Sequence, residues 1–155
     1  MATLTPTTAA QYVQNATFRW TSADAMLNTS AALTNFKATA GVFDVIPLPY
    51  GAQVIGGLFT VLVVSNDSGA ATVKLGDSAN DDRYSKNTTI DLKTLGATAL
   101  PADVGTVLSY VGYESLGEYL RLTISNNTGD ATTGEFLLQV SYVVDGRETE
   151  NLRTY

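Results

Sequence analysis

Apolar and polar residues alternate most clearly over residues 118–125, where Leu120, Leu122 and Ile124 fall on one side and Tyr119, Arg121 and Thr123 on the other. Successive side chains of an extended backbone point in opposite directions, so a period of two marks a strand with one face buried. The same period runs through Phe136, Leu138, Val140, Tyr142 and Val144, with Gln139, Ser141 and Asp145 opposite, and predicts a second, longer strand. Residues 58–64, LFTVLVV, are apolar on both faces and rich in β-branched side chains, as suits a strand in the middle of its sheet. The core expected from these runs is Leu58, Val61, Val63, Leu120, Leu122, Ile124, Phe136, Leu138 and Val140.

Weaker strand patterns lie at residues 12–20, 42–48, 71–76, 88–95 and 106–111, each bounded by Gly, Pro, Asn or Asp. In the first of these, Ala16, Phe18 and Trp20 share one face and read as core. About eight strands with almost no helix predict an all-β fold, an antiparallel two-sheet jelly-roll sandwich. The one helix candidate is residues 22–36, which Ser22 would cap but Asn28, Thr29, Ser30 and Thr34 disfavour. The alternative there is an extended segment with Met26, Leu27, Leu33 and Phe36 docked on the body or on a neighbour. Organisation follows as a single domain: residues 1–41 an arm, first strand and irregular segment, 42–147 the body, and 148–155 a polar tail.

Composition narrows the chemistry. The 155 residues are 45% hydrophobic, enough for a core. There is no cysteine, which removes disulfides and thiolate chemistry, and no histidine, which removes the commonest acid-base group and metal ligand. A formal charge of −6 disfavours nucleic acid and anionic membrane as partners. The start, MATLTPTTAAQYVQ, has no basic head or continuous apolar run, and no stretch approaches the roughly 20 apolar residues of a membrane span. The expectation is a soluble chain without a secretion signal, so its five Asn-x-Ser/Thr sequons carry little weight.

The densest polar cluster is GDSANDDRY, residues 76–84. A calcium loop opened by Asp77 needs Gly at its sixth position and Glu at its twelfth, where this chain has Asp82 and Thr88. The pattern therefore reads as a turn whose carboxylates cap backbone N–H groups and pair with Arg83. Asp91, Glu114, Glu118 and Glu135 supply carboxylates but no motif, and the Ser and Thr residues lack a base to activate them. No enzyme, metal or other cofactor is expected. Tyr50, Tyr84, Tyr110, Tyr113 and Tyr119 fall in predicted loops or outward faces, suited equally to a glycan platform or a subunit contact.

Three segments, LPYGAQVIGGLFTVLVV, VKLGDSANDDRYSKNTTIDLKTLG and FLLQVSYVVDGR, resemble a group of small proteins encoded beside the major capsid protein of tailed phages. Leu48, Pro49, Tyr50 and Gly51 match that group's turn into the long central strand. Gly76, Asp77, Ser78, Arg83 and Tyr84 match its loop, and Asp145, Gly146 and Arg147 match the end of its last strand. The likeness spans roughly residues 42–147. It implies a decoration, or cement, protein that is made in the bacterial cytoplasm, sits on the outer surface of the virion and bridges subunits of the major capsid protein. Self-association is expected, a dimer in preference to a trimer. The contact candidates are Gln11 and Tyr12 in the N-terminal arm, Asp77, Asp82, Arg83 and Tyr84 in the loop, and Arg147 and Tyr155 in the tail. The alternative from another class is a carbohydrate-binding adhesive jelly roll.

Overall fold

The computed structural model describes residues 13–30, 32–85, 89–100 and 115–144. They form ten strands and no helix: β1 (Gln14–Thr21), β2 (Ala25–Leu27), β3 (Leu33–Asn35), β4 (Gly41–Pro47), β5 (Ala52–Val63), β6 (Thr72–Gly76), β7 (Ile90–Asp91), β8 (Gly96–Leu100), β9 (Tyr119–Ser125) and β10 (Glu135–Val144). One sheet has the order β1-β10-β5-β8 and the other β4-β9-β6-β7, while β2 and β3 form a separate hairpin. Every pairing is antiparallel. With that hairpin set aside, the chain wraps repeatedly between two four-stranded sheets, which is the jelly roll expected from the alternating runs.

The alternation in β9 and β10 is realised in detail. Leu120, Leu122 and Ile124 are buried, as are Phe136, Leu138 and Val140, and the sides opposite them are at least partly open. Across the first sheet Trp20 lies beside Phe136 and Phe136 beside Val61; across the second, Phe43 lies beside Leu122 and Leu122 beside Leu75. Between the sheets the rings of Trp20, Phe36, Phe43, Phe59 and Phe136 pack at centroid separations of 5.2 to 6.2 Å. Burying each such ring is worth roughly 1.5–3 kcal/mol, and favourable ring geometry adds about 0.5–1.5 kcal/mol per pair.

Two expected core residues are on the wrong side. Leu58 and Val63 are 41% and 43% exposed, and the inward positions of β5 are Ala52, Val54, Phe59 and Val61. A segment apolar on both faces does not report which face is inside. Here β-bulges decide it, because the β5–β10 register shifts opposite Ser141/Tyr142 and again opposite Glu135/Phe136. The first shift makes Ile55 the extra residue, 50% exposed, and so lets Val54 and Phe59 both face inward despite their odd spacing. A shift in β4 between Asp44 and Ile46 likewise brings both Phe43 and Ile46 into the core. At Gly57 a Cβ would stand 2.3 Å from the carbonyl oxygen of Gln139, so the β5–β10 pair closes only over glycine.

The described residues of 22–36 are not helical. They form the β2–β3 hairpin, where Asn28 Oδ1 accepts hydrogen bonds from the N–H groups of Ser30 and Ala32. Phe36 is 1% exposed in the core and Met26 packs against it, so the extended alternative describes this segment. Within the expected strand at 88–95 only Ile90–Asp91 pairs, and β8 follows where no strand was expected. The strand expected at 106–111 lies outside the described residues.

Candidate functional site

Each end of the sandwich gathers several loops, and the two gatherings differ in chemistry. At one end the β6–β7 loop folds back on Gly76, whose absent side chain matters because a Cβ there would stand 2.1 Å from the Asn80 carbonyl oxygen. Asp77 Oδ1 accepts hydrogen bonds from the N–H groups of Ala79 and Asn80, both at 2.8 Å. Its other oxygen accepts from Arg83 Nε, and the two side chains are 0% and 13% exposed. Asn80 Oδ1 takes the N–H of Asp82 at 3.1 Å. Tyr84 N–H donates to Leu75 O at 2.9 Å, which carries the tyrosine ring back into the core at 2% exposure.

The Asp77–Arg83 pair is thus a clamp that shapes the loop, with the oxygens of Asp77 already engaged by amides and a guanidinium. Among the described residues, no group of three or more His, Cys, Asp or Glu side chains is placed to hold a metal. Asp91 accepts from Lys93 N–H and the Thr94 hydroxyl, Glu135 pairs with Arg19, and Glu118 accepts from the Ser78 hydroxyl. Glu114 lies outside the described residues.

Four of the contact candidates, Gln11, Tyr12, Arg147 and Tyr155, also lie outside the described residues. Of the other four, Asp77 and Tyr84 are buried and Asp82 and Arg83 are half-buried, so the loop offers its surface through Ser78, Ala79 and Asp81. Lys74 Nζ meets Asp81 Oδ2 at 3.0 Å, and an open groove runs from this loop over Val42, Arg121 and Thr123.

Beside the loop is an apolar surface that the contact candidates omitted. Tyr50 bridges to Leu116 in the turn before β5, and the two are 74% and 71% exposed; Tyr119, at the start of β9, is 46% exposed. Hydrogen bonds from Leu48 N–H to Glu118 O, Gly51 N–H to Ser115 O and Ser115 N–H to Ala52 O hold the turn rigid. Gly51, at φ 75°, permits its reversal. Tyr50 and Tyr119 read as outward from the sequence, whereas nothing near Leu116 marked it except the adjoining Gly117.

The opposite end is a polar weld. Asp67, 1% exposed, accepts hydrogen bonds from the N–H groups of Gly69 (2.8 Å), Thr128 (2.9 Å) and Gly129 (3.1 Å). Thr128 Oγ1 stands 2.8 Å from Asp67 Oδ1 and 2.7 Å from Asp130 Oδ1, with one proton to give. Asp130 also accepts from Ser68 N–H, and Asn66 Oδ1 accepts from the N–H groups of Thr132 and Thr133. Burial raises the Asp67 pKa, but the backbone and hydroxyl bonds from Thr128, with the amides of Gly69 and Gly129, outweigh it and hold the carboxyl below its ordinary range. Bonds from Ser68 and Thr128 lower that of Asp130. The weld joins the β5–β6 loop to the β9–β10 loop and thereby ties the two sheets together.

Fold and surface together define a class: an antiparallel jelly roll with one welded end and one end that presents aromatic and aliphatic side chains. No protein-family model matches the chain, and no curated protein matches it significantly. Among solved structures, the fold is similar to a chain of the Cyanophage Pam1 capsid asymmetric unit, at TM-score 0.57 and 17% identity, over 93% of this chain and 92% of that one. It is similar also to a chain of the capsid of Ralstonia phage GP4, at TM-score 0.50 and 13% identity, over 94% and 92%.

Proposed function

We propose that this chain is a structural protein of a phage virion, a decoration protein that binds the outside of the assembled head and bridges neighbouring capsid subunits. The observation that carries the reading is the whole-length likeness of its fold to chains from two phage capsids. The surface described above supports it. A binding role asks for a stiff body and an adhesive face, and aromatic side chains on a rigid turn contribute large contact area at low entropic cost. Tyr50, Leu116 and Tyr119 are the contact face in this reading, rimmed by Ser78 and Glu118. Residues 1–11 and 146–155 act as arms that reach further subunits, with Gln11, Arg147 and Tyr155 among their contacts and Tyr12 beside the first arm.

The advantage of the assembled head is geometric. A specific interface usually needs about 800 Å² per partner, and a domain of this size offers limited area to any one neighbour. In a lattice the second and third contacts are intramolecular, which raises avidity by roughly 10² to 10⁴ over a single contact. By mass action, a ligand that binds only the lattice stabilises the lattice. Heads lacking the protein are therefore expected to lose integrity at a lower temperature and to recover when it is added back. Equal heat resistance with and without it would refute the reading, and binding of the isolated protein to glycans but not to heads would favour the adhesive alternative.

A further inference from the structure

The sandwich has four outer strands, and three of them are guarded. β1 carries Arg19, paired with Glu135. β4 carries Asp44, and its free side is partly covered where Thr29 N–H donates to Val42 O and Asn28 bridges to Phe43. β7 is two residues long and includes Asp91. Among the described residues the fourth, β8, has none of these protections.

β8 has the sequence Gly-Ala-Thr-Ala-Leu, with no charge and no proline, and it pairs with β5 without a register break from Gly96↔Val61 to Leu100↔Gly57. Among the described residues no strand pairs with its other side. An unguarded, regular edge presents a row of backbone donors and acceptors that match another strand. Its paired neighbour β5 is uncharged too, with no charged residue in its 12 positions. In a chain of formal charge −6, two copies repel wherever acids face each other, and β8 with β5 brings no acid to such a contact.

We propose that two copies of the chain associate through their β8 strands, antiparallel across a two-fold axis at Thr98, so that two four-stranded sheets become one of eight. In this register Thr98 faces its own counterpart, and Ala97 faces Ala99 of the partner subunit. Both alanines are exposed on the outer face, where Ala99 lies beside Leu58, while Thr98 lies beside the buried Phe59. The small methyl groups add little bulk along this edge. An isologous contact of this kind closes at two copies and does not propagate.

The register makes the test specific, and the test is independent of the capsid reading because it uses the full chain alone in solution. Sedimentation velocity over a concentration series is expected to give a dimer for the wild type. Ala97→Glu with Ala99→Glu places like charges opposite each other and is expected to give a monomer with the same β-type circular dichroism and melting temperature. Ala97→Glu with Ala99→Lys places opposite charges across the axis and is expected to restore the dimer. The chain has no cysteine, so Ala97→Cys with Ala99→Cys supplies a second readout, a disulfide-linked dimer on mild oxidation. The proposal is overturned if the wild type is monomeric throughout, as it would be were residues 101–114 to cover the edge. It is equally overturned if the double-Glu variant stays dimeric, or if the Glu/Lys variant stays monomeric and the cysteine variant does not cross-link.

Discussion

The two ends of the sandwich do opposite things with their polar groups. At the welded end Asp67, Asp130 and Asn66 turn their oxygens toward the neighbouring loop, so the hydrogen bonds run between loops, although Val64 and Leu95 still stand exposed beside them. At the other end Asp77 turns inward within its own loop, and the adjoining turn holds Tyr50 and Leu116 out at more than two-thirds exposure. One end spends its hydrogen bonds on joining the sheets. The other uses them to keep a rigid apolar surface in water, which is unfavourable for a free molecule and useful for one that binds.

Substitutions can break or sharpen that contrast. The largest effect is expected in the core that both ends share: Phe136→Ala should destabilise the fold by about 3–5 kcal/mol in urea denaturation. A value under about 1 kcal/mol would show that the ends are supported separately. Next is Asp77→Ala, which removes the acceptor of the Ala79 and Asn80 N–H groups and the carboxylate paired with Arg83, and should cost about 1–3 kcal/mol, with the loss concentrated in the β6–β7 loop by hydrogen exchange. Uniform loss of protection would mean that the clamp stabilises more than its loop.

At the weld, Asp67→Ala removes the acceptor for three backbone N–H groups and should cost about 1–3 kcal/mol. Acid provides the companion test. Asp67 and Asp130 have folded pKa values below their ordinary ones, so their contribution is full above the unfolded value of about 4 and is lost as pH falls through the folded values. Stability should therefore decline below about pH 4, with a smaller decline in Asp67→Ala. An unchanged acid profile in that variant would remove Asp67 from the account. The smallest effect on stability is expected for Tyr50→Ser with Leu116→Ser, within about 0.5 kcal/mol per site in chemical denaturation, because both are outward. The same pair should weaken attachment to heads at least tenfold, and unchanged attachment would move the contact elsewhere.

The parts legible in sequence are those where one face of a strand is apolar and the other polar. Leu120, Leu122 and Ile124 declared their face, as did Phe136, Leu138 and Val140, because burial and period coincide there. Leu58 and Val63 did not, since β5 is apolar on both sides and its inward face is chosen by bulges that leave no mark in composition. β8 passed unseen because Gly-Ala-Thr-Ala has neither β-branched density nor alternation, and its place comes from pairing with β5. At the candidate site, the Asp77–Arg83 pairing was readable from turn chemistry. The burial of Tyr84 was not, because it follows from backbone bonds to Leu75. Asn66-Asp67-Ser68-Gly69 has ordinary turn composition, and its partner loop lies some 60 residues away, so the weld becomes visible only in three dimensions.

The central claim is attachment to an assembled lattice, and co-sedimentation of the purified protein with heads that lack it tests this most directly, with dissociated capsid subunits as the parallel sample. The account predicts saturable binding to heads at least about a hundredfold tighter than to free subunits. Equal affinity for both, or no binding to heads across the whole concentration series, would contradict it.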